Sequence, residues 1–279
     1  MAEPRRIIHP GPPAPDRLSA VPCRATRQAV TLHAGIPLLA AMTDAVDGAA
    51  AWFDLSGIDT DRLSFVRPAP APGDGHVAWY SATTTLDRAR IVCAGAHLGR
   101  RDGAAFAHTH GVWADQIGGL HAGHLLAEYT VLARDVTVDV VVLEGARMES
   151  AKDPETGFVL FRSVRTGKVE HANAVLATAR PHEPIDDIIV KIAGDAGMEN
   201  ATVTGLGSLI GTKFADHAAV GSYATEVLLT KGCLSEGQVD LQAMSVGFDG
   251  PHAKGILARS ANTICVTFEL LLVRDQPVS

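Results

Sequence analysis

Residues 36–57 read IPLLAAMTDAVDGAAAWFDLSG, and residues 184–207 read PIDDIIVKIAGDAGMENATVTGLG. In each stretch a proline, Pro37 or Pro184, leads into an apolar helical pattern that breaks at a glycine and enters a strand closed by another glycine. A step of 150 residues carries Leu38 onto Ile188, Leu39 onto Ile189, Met42 onto Ile192, Ala51 onto Ala201 and Gly57 onto Gly207. The chain repeats itself once.

Working outward, ARIVCAGAHL (89–98) answers TEVLLTKGCL (225–234), and Gly103 answers Gly237. His108 and His110 fall on Gln242 and Met244, and Gly123-His124-Leu125 on Gly255-Ile256-Leu257. The offset shrinks because the first half carries a long segment, VRPAPAPGDGHVAWY (66–80), that the second lacks, and insertions belong in loops. Each half then closes on a β-rich run, VTVDVVVLE (136–144) and NTICVTFELLLV (262–273). One helix followed by several strands, twice over, predicts an α+β chain of two similar domains in tandem, each a mainly antiparallel β-sheet flanked by a helix. The expected divisions are an irregular Pro-rich lead-in (1–28), a domain bearing the histidines (29–150), a linker or hairpin (151–182) and a degenerate domain without them (183–279).

A length of 279 residues agrees with two domains at about 150 residues each. With 47% hydrophobic and 20% charged residues the chain is neither disordered nor fibrous. The net charge of −7 is spread over both halves, with no run of Lys and Arg. Phosphate binding with counterion release needs such a run, so the charge disfavours nucleic acid as a partner. Four scattered cysteines without a Cys-x-x-Cys, a charged Pro-rich amino terminus and the lack of a long apolar span point to a reducing cytoplasm and away from a membrane.

Four of the twelve histidines fall within residues 108–124, in HTHGVWADQIGGLHAGH. Alternate residues of a strand share a face, so His108 and His110 present two imidazoles side by side. Gly118, Gly119 and Gly123 allow the chain to turn back and bring up a third, His121 or His124. Three imidazoles with one position left open form a shell suited to catalytic zinc, and Fe, Ni, Mn or Co accept the same donors. The plain alternative is a set of hydrogen-bonded histidines with no metal.

A strand with His-x-His, a glycine-bearing loop, Gly-His-Leu and a closing hydrophobic strand resembles the plants and prokaryotes conserved (PPC, or PCC) domain. The pattern is carried here by Gly35, Gly57, Gly95, His108-Thr109-His110 and Gly123-His124-Leu125, and again without histidines by Gly207, Gly232, Gln242, Met244 and Gly255-Ile256-Leu257. Together the two resemblances cover residues 30–275. The resemblance implies an antiparallel sheet flanked by a helix, assembly as a homotrimer, and a divalent metal, zinc first, on His108, His110 and His124. It also implies the DNA-binding label that the family commonly carries. Ala122 stands where the family has the first glycine of Gly-Gly-His, and no AT-hook is present. The chain is also similar in architecture to alpha-acetolactate decarboxylase, a duplicated fold with a His-x-His zinc site. That enzyme's histidines lie in the other half, and its further ligand and catalytic arginine have no counterpart in this sequence, so its activity is not carried over.

Among other residues, Arg100 and Arg101 could reach an anion at the metal, and Asp115 and Glu128 could support an imidazole. In each case a solvated surface residue is the plain reading. TGLGSLIG (204–211) is not followed by a helix and reads as a tight strand exit rather than a dinucleotide loop. Trp52, Trp79 and Trp113 are expected in cores or interfaces, Trp113 being the one of the three placed to wall a pocket. The leading functional expectation is a metal-binding protein whose open position takes a small anionic or carbonyl metabolite, any catalysis being lyase or hydrolase chemistry. On that view the second domain is structural, a copy kept for packing or for completing the pocket wall. The rivals are a DNA-binding or regulatory protein whose metal, if any, is structural, and a metal-free scaffold.

Overall fold

The computed structural model describes residues 7–275; the extreme ends of the expected lead-in and second domain lie outside the described residues. The architecture is mostly antiparallel β-sheet with two α-helices, Leu38–Ala45 and Ile185–Asp195. Both helices start after the expected prolines, Pro37 and Pro184, whose fixed φ suits a helix entrance. Leu38, Ala41 and Met42 face inward from the first, and Ile185, Ile188, Ile189 and Ile192 from the second, at the spacing of one helical face. Gly48 and Gly197, at φ 70° and 60°, follow the helix ends, a left-handed conformation that glycine adopts without penalty.

Sixteen strands form the main sheet. Across it run His252–Ile256, Gln238–Val246, Thr225–Ser235, Asn200–Leu209, Ile264–Arg274, Ala174–Ala179, Leu18–Leu32, Val136–Glu144, Ala50–Asp54, Thr84–Arg101, Ala104–Ala114, Leu120–Leu125, Ile58–Val66 and Val131–Leu132. Ile58–Val66 also pairs with Thr84–Arg101, so four strands of the first half close into a ring. At the middle, Leu18–Leu32 pairs with Ala174–Ala179 and joins the two halves edge to edge.

Each half has its own apolar core. One gathers Leu38, Met42, Phe53, Phe65, Trp113 and Leu125; the other gathers Ile185, Ile189, Ile192, Phe268 and Leu270. A third core belongs to both, with Trp52, Val112 and Leu143 set against Leu206, Leu228, Met244 and Val246. Gly95 is required there, since a Cβ would lie 2.5 Å from the Trp52 ring and 2.7 Å from Leu228. The halves therefore press together at side-chain contact distance.

The lead-in, expected to stay irregular through residue 28, becomes a strand at Leu18. Pro22 is tolerated because the strand has a single neighbour at that point. Cys23 O accepts from Asn173 N, which turns the Pro22 nitrogen to the opposite side, and pairing on that side begins only at Arg24. The stretch 151–182 contains the return strand Val159–Arg165 and the wholly buried strand Ala174–Ala179. Residues 66–80 form a short hairpin, with Pro68–Ala69 paired to Trp79–Tyr80.

Candidate metal centre

His108 and His110 lie on one face of Ala104–Ala114, and His124 stands directly across the ladder from His110. The next pair on these strands is Gly111 with Gly123; a Cβ on Gly123 would run into the Val66 carbonyl oxygen, and one on Gly111 would press on Ala94. These glycines let neighbouring backbones close around the site. The three imidazoles offer ligand atoms all within 4.8 Å of one another, so the group could hold a metal ion. Their ring centroids are 4.7, 5.0 and 5.7 Å apart.

Hydrogen bonds fix which nitrogens face the common point. His110 Nδ1 lies 2.9 Å from the Val227 carbonyl oxygen. A carbonyl can only accept, so Nδ1 carries the proton and Nε2 presents a lone pair. His108 Nδ1 donates to Glu269 Oε1 at 2.7 Å, which likewise frees its Nε2. The two Nε2 atoms then face each other at 3.1 Å. At that distance either a proton on His108 Nε2, with the imidazolium paired to Glu269, or a metal ion beside both nitrogens satisfies the contact. His124 Nδ1 is buried with no partner, a further donor left open. Burial holds His110 and His124 well below the usual imidazole range, reinforced by their histidine neighbours, so both are neutral at neutral pH, the form in which an imidazole can take a metal.

The carboxylates come from the other half of the chain. Glu269 is 1% exposed and Glu226 6% exposed, each with one oxygen buried and unpartnered, and Glu226 Oε1 lies 3.7 Å from His110 Nε2. Burial pushes Glu226 up to about 8, with the Tyr80 phenol beside it partly opposing the shift. The second half is thus not merely structural: it supplies Glu269, Glu226 and the Val227 carbonyl to histidines of the first. Sequence reasoning missed these groups, although a lone glutamate in TEVLLT and in FELLL is a signal, because a charge inside an apolar strand needs a partner.

His121 is not in the group. It lies an odd number of residues from His124, on the opposite face of the strand, and its Nε2 bonds Asp115 Oδ2 at 2.9 Å. Asp115 also accepts from Ile117 N and Gly119 N, so it shapes the turn. Trp113 does not wall a pocket. Three residues past His110 it faces the other way, fully buried against Phe65 at 4.8 Å. The tryptophan at the cavity is Trp79, delivered by the 66–80 hairpin, while Trp52 packs between the halves against His97. Arg100 is exposed, whereas Arg101 and Glu128 line a cleft with His108 and His124. Gly205 and Gly207 lie within a strand rather than at its exit, because a Cβ on either would collide with the backbone of Ile264–Arg274. Register also revises one correspondence: Lys254, not Ile256, stands opposite Met244 as His124 stands opposite His110.

His97, across the ladder from His108, is 1% exposed and edge-on to Trp52 at 4.7 Å. Burial, aided by His108, pushes it down to about 3. The unfolded chain binds this proton near 6.5, so folding stability rises with pH from about 3 to about 6.5 and is lost as pH falls through that window. In metal-free protein, His97→Phe is expected to narrow the stability gap between pH 7 and pH 5 by about 2 kcal/mol, read from urea midpoints. An unchanged gap would place the acid sensitivity elsewhere.

No helix among the described residues is long and apolar enough to cross a membrane. No family model matches the chain, and no curated protein does. Solved structures similar to it include a metal-containing protein of Archaeoglobus fulgidus, 20% identical over 49% of this chain and 92% of that one, with a TM-score of 0.37. A plant- and prokaryote-conserved (PPC) protein of Pyrococcus horikoshii is 16% identical over 51% of this chain and 96% of its own, at a TM-score of 0.38. A candidate DNA-binding protein of Ralstonia eutropha is 16% identical over 52% of this chain and 88% of its own, at 0.36.

Proposed function

We propose that this chain is a tandem PPC-like protein that holds one divalent metal ion, zinc first, on His108, His110 and His124, and offers the open coordination position to a small anionic or carbonyl ligand. The observation that carries the reading is the convergence of three imidazoles whose ligand atoms all lie within 4.8 Å of one another, His108 and His110 each held from behind by an acceptor on Nδ1. Such acceptors orient metal-bound imidazoles and raise their basicity. When bound, the metal would supply a Lewis acid; Glu269 orients His108, and Glu226 is the buried carboxyl group beside His110.

Several features support duplication. Leu18–Leu32 pairs with Val136–Glu144 as Ala174–Ala179 pairs with Ile264–Arg274. Each closing strand then pairs with the strand after the helix, and the hairpins that follow turn at Asp102-Gly103 and Glu236-Gly237, all four residues at positive φ. The first helical N–H groups bond equivalent carbonyls, Leu38 to Thr130 and Ile185 to Asn262.

Titration of metal-free protein with zinc tests the centre. Glu269→Gln is expected to weaken zinc affinity by about 10- to 100-fold, the usual loss for a group behind a ligand. Unchanged affinity would contradict the assigned role of Glu269. DNA binding, the alternative, predicts a retarded duplex whose affinity falls steeply with salt. With a net charge of −7 no retardation is expected at low salt, and a salt-sensitive shift would favour the alternative.

A further inference from the structure

Two clefts meet at the histidine group, sharing His108, Tyr80, Phe158 and Leu160. One is apolar, walled by Trp79, Phe158, Leu160, Ala224 and Val266, with Glu226 and His110 at its floor. The Trp79 and Phe158 rings lie 5.6 Å apart, and Trp79 is 42% exposed, so this chamber opens to solvent. The other cleft contains Arg101 together with His124, Glu269 and Phe106. The Arg101 guanidinium lies flat on the Phe106 ring, 3.8 Å from its centroid, with Nε buried and unpartnered. Among the described residues the Arg101 guanidinium has no hydrogen-bond or ion-pair partner.

A guanidinium held beside a cation-binding group and left without such a partner is a seat for an anion: Glu128, a carboxylate that lines the same cleft, forms no ion pair with it. A planar guanidinium fork recognises a carboxylate in two-pronged fashion. Small inorganic anions would satisfy Arg101 but leave the aromatic chamber unfilled.

We infer that the ligand taken at this centre is a carboxylate with an apolar body, its carboxylate paired with Arg101 at the open metal position and its body lodged in the chamber that Trp79, Phe158 and Leu160 line. This inference rests on the metal-centre reading above, deepens it by naming the ligand class, and makes Arg101 the residue that selects charge.

The test is tryptophan fluorescence of the zinc-loaded protein titrated with 3-phenylpropionate, 3-phenylpropionamide and acetate, with zinc content measured on the same samples. The acid is expected to bind at least tenfold more tightly than either the amide or acetate. Arg101→Gln is expected to reduce acid binding at least tenfold while zinc content and circular dichroism stay unchanged. Equal binding of acid and amide, or an Arg101→Gln protein that binds the acid as tightly as wild type, would overturn the carboxylate assignment. Acetate binding as tightly as the phenyl acid would overturn the apolar body. Zinc near one per chain in those failures would leave the metal centre standing, whereas zinc near zero in the wild type would overturn both.

Discussion

His110→Ala is expected to abolish zinc retention, from about one ion per chain to less than about a tenth, while leaving the β-sheet circular dichroism intact. The imidazole is 1% exposed and sits at the centre of the group: it faces His108 Nε2 at 3.1 Å, stands across the ladder from His124, and is locked by Val227 O. Removing it leaves two donors on separate strands and no ring held in register between them. Two imidazoles are one short of the three protein ligands typical of an open zinc site, and the lost affinity is expected to exceed a thousandfold. Metal analysis after dialysis reads the result directly. A His110→Ala protein that kept a full complement of zinc would place the metal elsewhere.

Trp113→Ala is expected to cost about 3–5 kcal/mol of folding stability and to leave zinc content at one per chain under native conditions. Trp113 is the largest fully buried side chain, 0% exposed, edge-on to Phe65 in the core beneath the first helix. The strand that carries His108 and His110 on one face carries Trp113 on the other, so the substitution opens a cavity on the side away from the metal ligands. Urea denaturation with metal analysis in parallel separates the two effects. A loss below about 1 kcal/mol would contradict the burial, and loss of zinc from the folded variant would contradict the division of faces.

Local signals in the sequence led to most of the strands and to both helices. Pro37 and Pro184 mark the helix entrances, VTVDVVVLE becomes the strand Val136–Glu144 without a residue's error, and the His-x-His spacing places His108 and His110 on one face. Trp113 takes the core position expected of it, and parity could also have removed it as a pocket wall and separated His121 from His124, since odd separations along a strand change face. The rest depends on contacts between distant segments. Glu269 reaches His108 across 161 positions of sequence, and Val227 reaches His110 across 117. No local pattern encodes which buried glutamate meets which histidine; only the apolar surroundings of Glu226 and Glu269 show that each must meet something. Lys254 takes the place opposite Met244 because ladder register, not spacing from the nearest glycine, decides which side chains face each other. The 66–80 segment reads in the sequence only as an inserted loop, and its hairpin brings Trp79 and Tyr80 to the cleft beside the histidines.

The central claim is that His108, His110 and His124 form a metal centre rather than a hydrogen-bonded cluster. Zinc-edge X-ray absorption on zinc-reconstituted, dialysed protein tests it most directly. About one zinc per chain, with three imidazole nitrogens at about 2.0–2.1 Å and one lighter non-histidine neighbour, is the predicted result. A protein that retains less than about a tenth of an equivalent, or zinc held by oxygen donors without imidazole scattering, would contradict it.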